Sequence, residues 1–116
     1  MKKKLFFLLD VDGVMTTGQF IYSQKGKVLK IFGPHDADGL KMIRSDIKIE
    51  FLTADKRGFE ISKKRITDDM GFKLHLVSEK ERIRFIEKNY GFKNVIYMGD
   101  GIFDAEILRD EIKFTK

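Results

Sequence analysis

Apolar and polar positions fall in two rhythms along this chain. Leu5-Phe6-Phe7-Leu8-Leu9 is an unbroken apolar run, as expected of a strand covered on both faces, and Val95-Ile96-Tyr97-Met98 is another. Ile47–Leu52 alternates and Leu74–Val77 is a short third strand candidate. Between these runs apolar residues recur at helical spacing. Leu40 and Ile43, with Met42 beside them, predict a helix from Asp36 to about Ser45. Phe59, Ile66 and Met70 predict one that stops at Gly71, and Ile83, Ile86 and Tyr90 one that stops at Gly91. A last helix is predicted over Asp104–Asp110, and Ile112–Thr115 begins a fifth strand. Strands alternating with helices predict an α/β fold, a doubly wound, Rossmann-like parallel sheet flanked by helices.

Residues 19–32 interrupt that rhythm. Two β-prone runs flank a turn at Gln24–Gly26, which predicts a β-hairpin inserted after the first strand, and Gly33-Pro34 ends it. Ser78-Glu79-Lys80-Glu81 has the form of a capping box. The whole of residues 1–116 reads as a single domain, without linker, repeat or low-complexity tract.

Composition narrows the chemistry. The chain has no cysteine, which excludes disulfides, a thiol nucleophile and Cys-ligated metals. His35 and His75 are too far apart in sequence to suggest a histidine-built site. A bound metal would be held by carboxylate oxygens, which suits Mg²⁺. A formal charge of +5 is compatible with a small anionic substrate, with nucleic acid or simply with solubility. The lysines are scattered, with no basic stripe interleaved with stacking aromatics, so nucleic-acid binding is not expected. The Lys2–Lys4 run before Leu5–Leu9 imitates a signal peptide, but the apolar part is too short and ends at Asp10. No stretch has the length of a membrane span, and a cytoplasmic protein is expected.

The candidate chemistry lies where the strands end. The first strand runs into Asp10-Val11-Asp12-Gly13, and in an open α/β sheet ligands bind at the carboxyl edge. Alternation along an extended chain would point Asp10 and Asp12 the same way. Two like charges so placed are costly unless a cation lies between them or one is protonated, so the pair reads as a metal and acid/base site; the plain alternative is a strand exit with surface acids. The second strand ends at Thr53, a phosphate-binding hydroxyl or simply a turn cap. Lys80 follows the third strand in a helix's first turn, where the dipole disfavours a cation. It is either a solvated lysine or the partner of a phosphate bound at that terminus. Asp100 and Asp104 follow the fourth strand, as a loop acid and an N-cap or as part of an oxygen-lined Mg²⁺ site.

In order, Asp10-Val11-Asp12-Gly13-Val14, Thr53, Lys80 and Gly99-Asp100-Gly101-Ile102-Phe103-Asp104 resemble the four motifs of the haloacid-dehalogenase superfamily phosphatases. The stretch from Asp10 through Thr17-Gly18, the hairpin to Phe32 and the segment Asp36–Gly39 are similar to the capless 3-deoxy-octulosonate-8-phosphate phosphatases. That subgroup includes relatives acting on acylneuraminate or other nonulosonate 9-phosphates. The resemblance implies a Mg²⁺-dependent sugar-phosphate phosphatase without a cap domain. It implies Asp10 as nucleophile and Asp12 as general acid and base, with Mg²⁺ held by Asp10, the Asp12 carbonyl, Asp100 and Asp104. Thr53 and Lys80, with N–H groups near Gly13 and Ala54, would hold the phosphoryl oxygens. It also implies that hairpins join subunits into a homo-oligomer, a tetramer in the subgroup, that covers each site.

The chain departs from this pattern at three places. Ala54-Asp55 stands where members often have Gly-Arg, and His35-Asp36-Ala37-Asp38-Gly39 where the subgroup commonly reads Arg-Asp-Gly-x-Gly. The chain also ends soon after the fourth motif, as a shortened form or a fragment would. Two other readings remain open. One is a catalytically weak domain serving oligomerisation beside a sugar-nucleotide synthetase. The other is a receiver-type phosphoacceptor, whose threonine and lysine would have to follow later strands than they do here.

Overall fold

The computed structural model describes residues 5–33, 36–99 and 113–115. In chain order it runs β1 (Phe6–Asp10), the hairpin strands β2 (Thr16–Ser23) and β3 (Gly26–Phe32), α1 (Asp36–Ile43) and β4 (Lys48–Thr53). Next come α2 (Phe59–Lys63), continued by a π-helical stretch Lys64–Asp69, and β5 (Lys73–Leu76). A 3-10 turn (Glu79–Glu81) leads into α3 (Arg82–Asn89), and β6 (Val95–Met98) and β7 (Lys113–Thr115) follow.

The sheet has five strands in the order β5-β4-β1-β6-β7, every neighbouring pair parallel; β2 and β3 form a separate antiparallel pair. The chain winds outward from β1 in one direction through β4 and β5, then returns to its other side for β6 and β7. The switch in winding direction therefore lies at β1, where ligands bind in such sheets.

The doubly apolar strands divide the core between two layers. Leu9, Ile49 and Phe51 pack with Val11, Met15, Leu40, Ile66 and Met70 on the layer of α1 and α2. Leu8, Leu52, Val95 and Tyr97 pack with Val77 and Ile86 on the α3 layer. Period-two alternation assigns these layers and places Asp10 on the α3 side with Leu8.

The sheet, the hairpin and the helices over residues 36–91 stand where the apolar pattern predicts them, with two corrections. The first helix stops at Ile43, leaving Ile43 and Met42 exposed rather than packed inward. The capping box does not form: Ser78 makes no side-chain cap bond, and its carbonyl accepts the Glu81 N–H at 3.1 Å in a 3-10 turn. That turn delays the start of α3 to Arg82, which changes which basic residue faces the sheet. The helix expected over Asp104–Asp110 lies outside the described residues.

The same alternation buries a carboxylate. Glu50, between Ile49 and Phe51, faces the α3 layer and is 5% exposed. Its Oε1 accepts from the Tyr90 hydroxyl at 2.7 Å and pairs with His75 Nε2 at 2.7 Å, and Lys48 lies 3.8 Å from Oε2. Burial pushes the Glu50 carboxyl up, but the bonds from Tyr90 and His75, with the charges of His75 and Lys48, outweigh it and hold it below its ordinary value. Burial and the neighbouring Glu50 push the Tyr90 phenol up, so it stays a donor. A carboxyl that titrates lower folded than unfolded adds stability above the ordinary carboxylate range, lost as pH falls through its folded value. Glu50→Gln is expected to cost about 1–3 kcal/mol at neutral pH. Thermal melts taken downward from pH 7 should show the variant and the wild type converging as the pH falls below the ordinary carboxylate range.

Candidate active site

β1 delivers Asp10 to the carboxyl edge at the switch point. Asp10 Oδ1 accepts the Val11 N–H at 2.9 Å and lies 3.6 Å from Nη1 of Arg82, the first residue of α3. Arg82 is 4% exposed, and Nη1 also donates to the hydroxyl of the buried Tyr97 at 2.9 Å. Helical spacing explains its inward aim. Arg82 precedes the core residue Ile86 by four positions, so the two share a face.

After Asp10 the chain leaves the sheet in a tight turn. The Val11 carbonyl accepts N–H groups from Val14, Met15 and Thr16 at 2.8–3.2 Å, and Gly13 adopts φ +84°, a conformation that favours glycine. Thr16 Oγ1 accepts the N–H groups of Gly13 and Gly18, each at 3.1 Å, and lies 3.5 Å from Asp12 Oδ1. Because extended geometry ends at Asp10, the two acids engage different elements. Asp10 meets Arg82 on α3, whereas the Asp12 carboxylate meets Lys30 Nζ on β3, 3.1 Å from Oδ1 and 3.2 Å from Oδ2. Each acid thus has a basic partner on a different element.

Thr53 ends β4 with a buried side chain whose Oγ1 accepts the Asp55 N–H at 3.1 Å. Ala54 follows it, exposed, at the same edge. The Gly13 N–H points to Thr16 Oγ1 at 3.1 Å. Lys80 sits in the 3-10 turn, exposed, beside a groove lined by Ile83, Arg84, Glu87, Lys88 and Phe92; it makes no hydrogen bond or ion pair with another described residue. Asp100 and Asp104 lie outside the described residues. Sequence reasoning thus brought Asp10, Asp12 and Thr53 to one edge, and missed Arg82 and Lys30.

No family model matches the chain. It is 36% identical over 114 residues to the 3-deoxy-D-manno-octulosonate 8-phosphate phosphatase KdsC of Haemophilus influenzae, a match covering 90% of this chain and 62% of that protein. The cobalt-bound structure of the deoxy-D-mannose-octulosonate 8-phosphate phosphatase YrbI from H. influenzae superposes with a TM-score of 0.74 at 29% identity, over 96% of this chain and 66% of that one. The chain shares its fold with these octulosonate 8-phosphate phosphatases. The octulosonate 8-phosphate phosphatase of Moraxella catarrhalis, solved with magnesium, phosphate and KDO, shares the fold at TM-score 0.74 and 24% identity, over 97% of this chain and 66% of its own. The chain spans somewhat less than two thirds of the length of these relatives.

The carboxyl edge of the sheet offers oxygen donors of the kind a hard divalent cation takes. The Asp10 carboxylate lies at the edge, and no described residue donates a hydrogen bond to the carbonyl of Asp12, although the Val11 carbonyl beside it takes three. No cluster of three or more potential ligands occurs among the described residues, which exclude Asp100 and Asp104. The superfamily motif expectation for a cation after the third strand falls on Lys80. Arg82, two residues on, lies with Nη1 3.6 Å from Asp10 Oδ1. The Asp55 that replaces the expected arginine of the second motif also has a role: its Oδ2 lies 2.9 Å from Lys30.

Proposed function

We propose that this domain hydrolyses a phosphate monoester of a sugar, a keto-sugar acid such as octulosonate 8-phosphate or a nonulosonate 9-phosphate, with Mg²⁺ as cofactor. The observation that carries the reading is Asp10 at the switch point, its carboxylate 3.6 Å from the buried Arg82, with Asp12 two residues on and Thr53 ending the adjacent strand. Identity of 36% to an octulosonate 8-phosphate phosphatase supports the substrate class.

An oxygen of Asp10 attacks phosphorus while the bond to the sugar oxygen breaks, and Asp12 gives its proton to the departing oxygen. Water then attacks the aspartyl-phosphate, Asp12 takes a proton from it, and the Asp10 carboxylate leaves as inorganic phosphate is released. Arg82 stabilises the charge on the phosphoryl oxygens, and the Thr53 hydroxyl, held from behind by the Asp55 N–H, is placed to donate to one. Asp10, the Asp12 carbonyl and Asp100, with Asp104 in support, would hold Mg²⁺. When bound, the ion offsets repulsion between the anionic nucleophile and the phosphoryl group.

The hairpin's Ile21, Tyr22, Leu29 and Ile31 are exposed, which supports a homo-oligomer, a tetramer on the subgroup's pattern, in which a neighbour covers the site. No helix among the described residues is long and apolar enough to cross a membrane. Phosphate release from octulosonate 8-phosphate, nonulosonate 9-phosphates and p-nitrophenyl phosphate tests the proposal. Turnover with Mg²⁺ that falls at least about a hundredfold in EDTA, and a preference for a sugar acid, are expected. A folded protein that releases phosphate from none of them overturns it.

A further inference from the structure

A lysine inside a small domain needs an account, and Lys30 has its whole side chain out of solvent. It belongs to β3, facing Phe20 across the hairpin, with Nζ 5.7 Å from that ring. An ammonium group has three donor positions. Here three groups surround it: the Asp12 carboxylate at 3.1 Å, Asp55 Oδ2 at 2.9 Å and Ser62 Oγ at 2.7 Å. These come from the turn after β1, the loop after β4 and α2.

The partners are themselves fixed. Asp55 Oδ1 accepts the Gly58 N–H at 3.0 Å, and Ser62 is fully buried. Gly58 gives the lysine its passage, since a Cβ there would run into the Asp55 carboxylate and stand 2.8 Å from Lys30 Cε. The saturated and buried ammonium has no donor left for a substrate. Its role is therefore exercised through Asp12, whose two carboxylate oxygens it meets at 3.1 and 3.2 Å.

From this geometry we infer that Lys30 is a positioning residue, fixing the Asp12 carboxylate for proton transfer and pinning the hairpin across the site. The inference rests on the phosphatase reading for its catalytic half and on the packing alone for its tethering half. Asp12 is needed most when the departing oxygen is a poor leaving group. In the first step the phosphorus–oxygen bond of the ester breaks, the Asp10–phosphorus bond forms and the Asp12 proton ends on the sugar oxygen. An alkoxide needs that proton, whereas p-nitrophenolate departs without it.

The test is kcat/KM of Lys30→Met on an alkyl phosphate, the sugar acid phosphate, and on p-nitrophenyl phosphate. A loss of about 10–100-fold on the alkyl ester against less than about threefold on the aryl ester is expected, since misplacing one acid costs a step that uses it. Equal losses on both esters, as general disordering of the site would give, or no loss on either, overturn the inference. If Lys30→Met does not fold, Gly58→Ala carries the same comparison by displacing the lysine and Asp55 without removing a charge. Amide exchange decides the tether whether or not the enzyme turns over. Residues 19–32 should lose protection in Lys30→Met, and unchanged protection overturns that half. A wild type that hydrolyses neither ester fails the phosphatase reading while leaving the exchange result to stand or fall by itself.

Discussion

Asp10→Asn is expected to lower phosphate release about a thousandfold or more on every substrate while leaving the fold intact. The argument starts from geometry. Asp10 ends β1 at the switch point, and its Oδ1 is fixed by the Val11 N–H at 2.9 Å and faced by Arg82. An amide oxygen can replace that acceptor, so the local backbone bond survives the substitution. What is lost is the anionic oxygen that would attack phosphorus in the proposed reaction, and removing a nucleophile from a group that acts as a unit removes nearly all of the covalent pathway. Stability should change by about 1 kcal/mol or less, because the lost attraction to Arg82 is offset in part by relief of repulsion from Asp12. Phosphate release beside a thermal melt separates the effects. Substantial residual turnover on an alkyl ester by the folded variant would show that Asp10 is not the nucleophile.

Much of this site was legible in the sequence because β1 and β4 announce themselves. An apolar run covered on both faces has one place in a parallel sheet, its centre, and its carboxyl end is then the switch point. That argument reaches Asp10 and Thr53 without coordinates. It fails at Asp12, because alternation assumes extended chain and the turn held by the Val11 carbonyl begins one residue earlier. The helix start at Ser78 was also misread. A capping box would start the helix early, but the 3-10 turn at Glu79–Glu81 resets the helical phase. Arg82 was readable all the same, since Arg82, Ile86 and Tyr90 stand four apart on the face turned to the sheet. Lys30 was not readable. Its three partners come from three separate segments, and only the folded hairpin brings them to one ammonium group.

Arg82 gives the second large effect, and it separates stability from chemistry. Arg82→Met keeps much of the apolar stem but removes a guanidinium that is 4% exposed. The Tyr97 hydroxyl, fully buried, loses its 2.9 Å donor, and Asp10 loses the cation beside it. Removing a donor to a buried hydroxyl and the cation beside a partly buried carboxylate is expected to cost about 2–4 kcal/mol. In a domain of this size that lowers the melting temperature by roughly 10 °C or more. Arg82→Lys restores the charge but not the planar fork that serves two partners, so it should recover stability only in part. On the proposed reaction, kcat/KM of Arg82→Met should fall by about a hundredfold or more at a temperature where the variant remains folded, since an aimed cation at the phosphoryl oxygens is lost. Lys80→Ala is the contrasting measurement. An exposed side chain with no partner among the described residues should change stability by no more than about 0.5 kcal/mol. If Lys80→Ala instead abolishes turnover while Arg82→Met retains it, the cation that serves the phosphoryl group is Lys80, and Arg82 serves only to hold α3 against the sheet.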